Sequence, residues 1–200
     1  MPERRPRQHL LAVLALALLV ALTLLMRPAW ANEGEVNLER TAEGLFLSVR
    51  QPLELGPALE EVLHKAVPVY FTYQAEVLEP RWYWADRRVV TAARTLRLGY
   101  QPLTRRWRLS VATGLGLGGM QYALHLNFDS LSEALASVGR VARWKIADAD
   151  LLDSDERYRI DYRFRLDLSL LPRPFQIGMA NQPDWNIERE LRLEAGPLKP

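Results

Sequence analysis

Between Arg81 and Arg108 the chain carries eight arginines (Arg81, Arg87, Arg88, Arg94, Arg97, Arg105, Arg106 and Arg108) against one acid, Asp86, interleaved with Trp82, Tyr83, Trp84, Tyr100 and Trp107. A guanidinium offers a rigid fork of donors that matches carboxylate or phosphate oxygens two at a time, and its flat face stacks on rings. Such a segment suits an acidic protein surface, a lipid headgroup or an anionic glycan. The competing role is structural: alternate positions of a strand put these arginines on a solvated face, where they pair with the acidic run Asp148, Asp150, Asp153, Asp155 and Glu156 and guard strand edges. Most of the arginines are assigned to that structural role, and a partner contact is kept for Arg81, Tyr83, Arg87, Arg88, Arg105 and Arg106. Trp82 and Trp84, two apart, share a face and are expected in the core, with Tyr83 outward.

Other residues with chemical capacity read as structure. Gly114-Leu115-Gly116-Leu117-Gly118-Gly119 spells the dinucleotide fingerprint G-x-G-x-x-G, but that mechanism needs a helix next, to set its first N–H groups on a pyrophosphate. Met120 to Phe128 alternates as a strand instead, so the glycines are expected to form a hairpin loop. The acidic run lacks the spacing and central glycine of an EF-hand loop. His64 and His125 stand alone, without a second histidine at metal-ligand spacing, and are expected to be structural or surface residues. No cysteine is present, which excludes disulfides and thiolate chemistry. No G-x-S-x-G elbow, no paired carboxylates and no histidine–acid motif stand out, so the sequence assigns no catalytic residue, metal or cofactor.

The first 31 residues are set aside as a secretory signal. Arg4, Arg5 and Arg7 form a positive start, Leu10 to Met26 is uncharged and apolar but for Thr23, and Ala29-Trp30-Ala31 offers small residues at a cleavage site. Cleavage after Ala31 is expected; an uncleaved anchor is the alternative, since the run is slightly short of the ~20 residues of a bilayer span. Either way residues 32–200 read as one exported, periplasmic domain. Removing Arg4, Arg5, Arg7, Arg27 and Glu3 leaves 22 cationic against 23 acidic side chains, a net charge of −1 instead of +2. A nucleic-acid partner therefore loses its electrostatic support.

The elements that must position these residues follow a two-residue period. In Arg157 to Leu170 every even position (Tyr158, Ile160, Tyr162, Phe164, Leu166, Leu168, Leu170) is apolar and every odd one polar, the signature of a long half-buried strand. Similar alternation marks a hairpin over 35–50, strands over 67–77, 87–100, 106–112, 120–128 and 141–146, and a last strand through Trp185, Ile187, Leu191 and Leu193. Two stretches change period. Pro57 opens a short helix to about residue 66, with Leu59, Val62, Leu63 and Ala66 on one stripe. Ser130-Leu131-Ser132-Glu133 is a capping box that starts a helix over 130–139, stopped by Gly139. The expectation is a mainly β fold: an antiparallel sandwich or strongly curled sheet of about eight strands with two short helices.

The leader, the FDSLSEAL…VGRVARW stretch and the C-terminal RFRLDLSLLPRPFQIG together resemble a group of proteobacterial exported proteins, the domain of unknown function DUF4390, also called proline-rich signal peptide proteins. The resemblance implies a gene lying beside that of a membrane sensor kinase of the nitrogen-regulation type, and with it an envelope partner, and supplies no active-site residues. In Leu171-Pro172-Arg173-Pro174-Phe175 neither proline can donate to a ladder, so the segment breaks the strand; Pro172, Arg173, Pro174 and Phe175 join the partner-contact candidates. The expected function is a non-enzymatic interaction module with an envelope or inner-membrane protein partner. The alternative is a carrier of a lipid or other apolar ligand in the curl of the sheet, with a carboxylate hydrolase third.

Overall fold

The computed structural model describes residues 34–173 and 185–198. Nine strands form among them: β1 (Glu35–Thr41), β2 (Gly44–Arg50), β3 (Val69–Glu79), β4 (Arg87–Gln101), β5 (Arg106–Thr113), β6 (Leu124–Phe128), β7 (Arg140–Asp148), β8 (Tyr158–Leu166) and β9 (Glu188–Ala195). Every pairing is antiparallel. They make a three-stranded sheet, β1-β2-β7, and a six-stranded sheet, β6-β5-β4-β3-β8-β9. The mainly β, antiparallel fold expected from the alternation, a sandwich or strongly curled sheet of about eight strands, is found as nine strands in two sheets, neither of which closes into a barrel.

The small sheet covers one face of the large one. Odd positions of β3 and even positions of β8 point inward, so Phe71, Tyr73, Ala75, Val77, Ile160, Tyr162 and Phe164 are all buried. Register makes them neighbours: Phe71 pairs with Leu166, Tyr73 with Phe164 and Ala75 with Tyr162. The Tyr73 and Phe164 rings sit 4.7 Å apart, and Trp144 of β7 meets Tyr73 edge-on at 6.4 Å. Each such side chain contributes about 1.5–3 kcal/mol through burial, so these rings hold the two layers together. Arg94 also faces inward on β4; its guanidinium lies 5.2 Å from the centre of the Trp144 ring, a cation–π contact that keeps the charge in a half-buried place.

The helices form where the period changed. Helix α1 (Pro57–His64) buries Leu59, Val62 and Leu63. Helix α2 (Leu131–Val138) is capped by Ser130, whose Oγ accepts from the Glu133 N–H at 3.2 Å, and buries Ala134, Leu135 and Val138. Gly139 ends it for a packing reason: a Cβ there would stand 2.2 Å from the Gln51 carbonyl oxygen. That approach lets the Gln51 N–H donate to the Gly139 carbonyl at 2.9 Å, tying the helix end to the chain after β2.

Three boundaries differ from expectation. The strand opening at Tyr158 stops at Leu166, although alternation runs on to Leu170. The Asp167 side chain accepts from the Ser169 N–H at 3.1 Å and wraps Leu168–Leu170 into a 3-10 turn, a local hydrogen bond that competes with the ladder. Met120–Tyr122 is likewise a 3-10 turn, so β6 begins only at Leu124. The last strand begins at Glu188, and Trp185 is a buried plug ahead of it.

Candidate functional site

Strands β3 and β4 pair as far as Glu79 and Arg87, and the connection between them, residues 80–86, projects past the ladder. Trp82 is 94% exposed, Tyr83 68% and Trp84 75%. This corrects the expectation that both tryptophans are core. The two-residue alternation that would turn them inward belongs to paired strand, and beyond Glu79 the described residues offer no neighbouring sheet surface to receive them. Trp107, Trp144 and Trp185, by contrast, are buried. The Trp82 and Tyr83 rings brace each other edge-on at 5.0 Å.

Ion pairs fix the base of this tip. Arg87 binds the Glu79 carboxylate through Nε at 3.0 Å and also through Nη2; Arg81 approaches the same carboxylate at 3.6 Å. Arg88 reaches Glu76 at 3.2 Å, and Asp86 binds Arg159 of β8 while accepting from the Arg81 N–H at 3.3 Å. The hydrogen bond from Arg87 holds the Glu79 carboxyl below the ordinary glutamate value. Three rings of this size expose on the order of 400 Å² of mostly apolar surface, within the range of patches that are functional on monomers.

The predicted arginine surface proves to be two surfaces. Arg81, Tyr83, Arg87 and Arg88 lie at the tip, whereas Arg105 and Arg106 lie at the far end of β4, whose 15 residues span about 45 Å. There Arg106 pairs with Asp129 at 2.7 Å, which lowers the Asp129 pKa through that hydrogen bond. The acidic run 148–156 is not the partner of these arginines, contrary to expectation. Antiparallel register sets Glu79 opposite Arg87 and leaves Asp129 just past the Trp107–Phe128 pair, so the strands supply their own acids. In the acidic loop Asp148 takes Lys145 at 2.7 Å, and Arg40 donates to the Asp153 and Glu156 carbonyls instead.

Pro172 and Arg173 are exposed and follow the buried Leu171; Pro174 and Phe175 lie outside the described residues. The glycine run is a loop, as expected, with Gly114 and Gly116 at φ 90° and 76°. His64 is exposed, its ring edge-on to Tyr100 and Trp107, and His125 bonds Ser110 Oγ at 2.9 Å. An open depression of about 370 Å³ on the outer face of the large sheet is lined by Gln74, Glu76, Asp161, Arg163, Glu190 and Arg192. Its charges neutralise one another, Arg163 on Glu190 and Arg192 on Asp161 at 3.2 Å.

Family comparison gives this geometry its context. The model of a domain of unknown function, DUF4390, matches residues 29–192. The chain belongs to the DUF4390 family. No curated protein and no solved structure matches it. In this DUF4390 chain the tip residues missed as site candidates are Trp82 and Trp84. The available signal was their position: Glu79-Pro80 ends one strand and Arg87 begins the next, so both rings fall in a connection, where face assignment by alternation does not apply.

Proposed function

We propose that this chain is an exported, non-enzymatic interaction module of the periplasm that docks on an envelope protein, such as an inner-membrane sensor kinase or a complex around it, through the β3–β4 tip. The observation that carries the reading is the pair of exposed tryptophans on an ion-paired base. Tryptophan, tyrosine and arginine are the residues that dominate interface energetics, and a preordered tip loses little entropy on binding.

Gly34, where residues 1–33 join the domain, packs against Arg50, Gln51 and Arg189, and Arg189 pairs with Phe164 in the half of β8 away from the tip. Chain β1 then runs toward the tip end, where Arg40 lies over the Tyr158 ring at 5.2 Å. In-cell photo-crosslinking from position 83 of the full chain tests the reading. The expected result is one discrete adduct with an envelope protein, lost in W82A/W84A; diffuse labelling, or an adduct indifferent to both substitutions, overturns it.

A further inference from the structure

We propose that β6 is a self-pairing edge at which two copies of this chain join antiparallel, β6 against β6, so that their six-stranded sheets become continuous. Among the described residues the two sheets leave four edges open, β1, β7, β6 and β9. A free edge exposes a row of backbone N–H and C=O groups, and folded proteins guard it with charges, prolines or bulges. Strand β9 carries Glu188, Arg189, Glu190, Arg192 and Glu194. Strand β1 carries Glu35, Glu39 and Arg40. Strand β7 carries Arg140, Arg143 and Lys145, its pairing with β2 slips twice, and Arg143 takes a φ of 43°.

Strand β6 has none of these devices. Its sequence, Leu124-His125-Leu126-Asn127-Phe128, holds no Lys, Arg, Asp, Glu or Pro. It pairs with β5 without a register shift. Leu124 is 63% exposed and Leu126 36%, and Tyr122 just before the strand is 85% exposed.

The occupant follows from self-complementarity. An antiparallel two-fold centred on Leu126 pairs all five residues: Leu126 with its own copy, Leu124 with Phe128, and His125 with Asn127. Residues directly opposite share a face, so the apolar side chains meet on one side and the polar pair on the other. A slip of one residue would set leucines opposite His125 and Asn127. With no fixed charge on the strand, two copies meet without repulsion, and the contact is the isologous kind that closes as a dimer.

The absence of cysteine from all 200 residues makes the test direct. In the full chain, Leu126→Cys places one thiol at the two-fold, where paired Cα atoms lie about 4.5–5.5 Å apart, within disulfide range. Asn127→Cys faces His125 of the copy, with its own counterpart beyond the about 7 Å limit. Copper-phenanthroline oxidation is expected to give a covalent dimer of twice 23.0 kDa for Leu126→Cys, at least tenfold more than for Asn127→Cys or Arg192→Cys on β9. Equal yields at the three positions signify random collision and overturn the proposal. So does a monomer throughout, or a Leu126→Cys adduct with a different protein. Sedimentation of the unmodified sequence against Leu126→Lys checks the same point without a thiol: a dimer that becomes a monomer is expected, and a monomer in both overturns it.

Discussion

Tyr73 and Tyr162 are two buried tyrosines with rings 6.1 Å apart in one core, and they are expected to respond oppositely to the same substitution. The Tyr73 hydroxyl donates to the Val138 carbonyl at 2.5 Å, tying β3 to the end of α2. The Tyr162 hydroxyl has no hydrogen-bond partner among the described residues. Tyr73→Phe removes a bond and leaves a buried carbonyl unpaired, at a cost of about 1–3 kcal/mol. Tyr162→Phe removes a group whose desolvation nothing offsets, and because the ring stays in place no cavity of consequence forms. It is expected to stabilise by about 1 kcal/mol.

Urea unfolding separates the two cases. With a denaturant slope of about 2 kcal/mol/M for a domain of this size, Tyr162→Phe moves the midpoint up by about 0.5 M and Tyr73→Phe moves it down by about as much or more. The slope itself should not change. The rings touch, so the double variant is expected to depart from additivity. A fall in midpoint for Tyr162→Phe equal to that for Tyr73→Phe would refute the reasoning, because it would mean that the second hydroxyl is also bonded.

The same burial gives a pH dependence. It pushes both phenols above their ordinary value of 10.0, so the unfolded chain releases these protons first and stability, intact below pH 10, falls as pH rises beyond it; alkaline unfolding should be shallower in Tyr162→Phe. Glu79 has the opposite sign: its pKa is held down by Arg87, so its contribution is present above 4.5 and is lost as pH falls through the lowered value. An NMR titration should find its carboxyl midpoint below 4.5, moving back up in Arg87→Ala; a midpoint unmoved by that change would remove the pair from the account of the tip. W82A/W84A should leave thermal unfolding within about 0.5 kcal/mol, whereas Trp144→Ala should cost about 3–5 kcal/mol. Equal losses would mean that the tip rings are packed.

How much of this was legible in the sequence follows from what alternation measures. A period of two reports that a strand has one wet and one dry face, and β3, β4, β5 and β8 were readable because each is paired on both sides above a covering layer. The signal is silent on where pairing stops. At Asp167 a side-chain hydrogen bond ends the ladder inside an alternating run, and at Glu79 the partner strand turns back, leaving Trp82 and Trp84 with no layer to face. Charge pairing is hidden for a related reason: Asp148 to Glu156 are dense in sequence, but register, which a single sequence does not disclose, delivers Glu79 to Arg87 and Asp129 to Arg106.

Edges are hidden from the sequence in the same way, because an inner strand and an edge strand can carry the same pattern. Only the strand order shows that β6 ends a sheet, and only then does its lack of charge acquire meaning. Within β5 or β3 a run such as Leu124 to Phe128 would be ordinary interior strand. At an edge left free among the described residues it leaves backbone donors, backbone acceptors and two exposed leucines, with no charge on the strand to repel a matching one. The tip and the edge are therefore where the structure adds most to the sequence: each is a place where an interior-type pattern continues past the end of the interior, and the apolar side chains left there are surface available for contact.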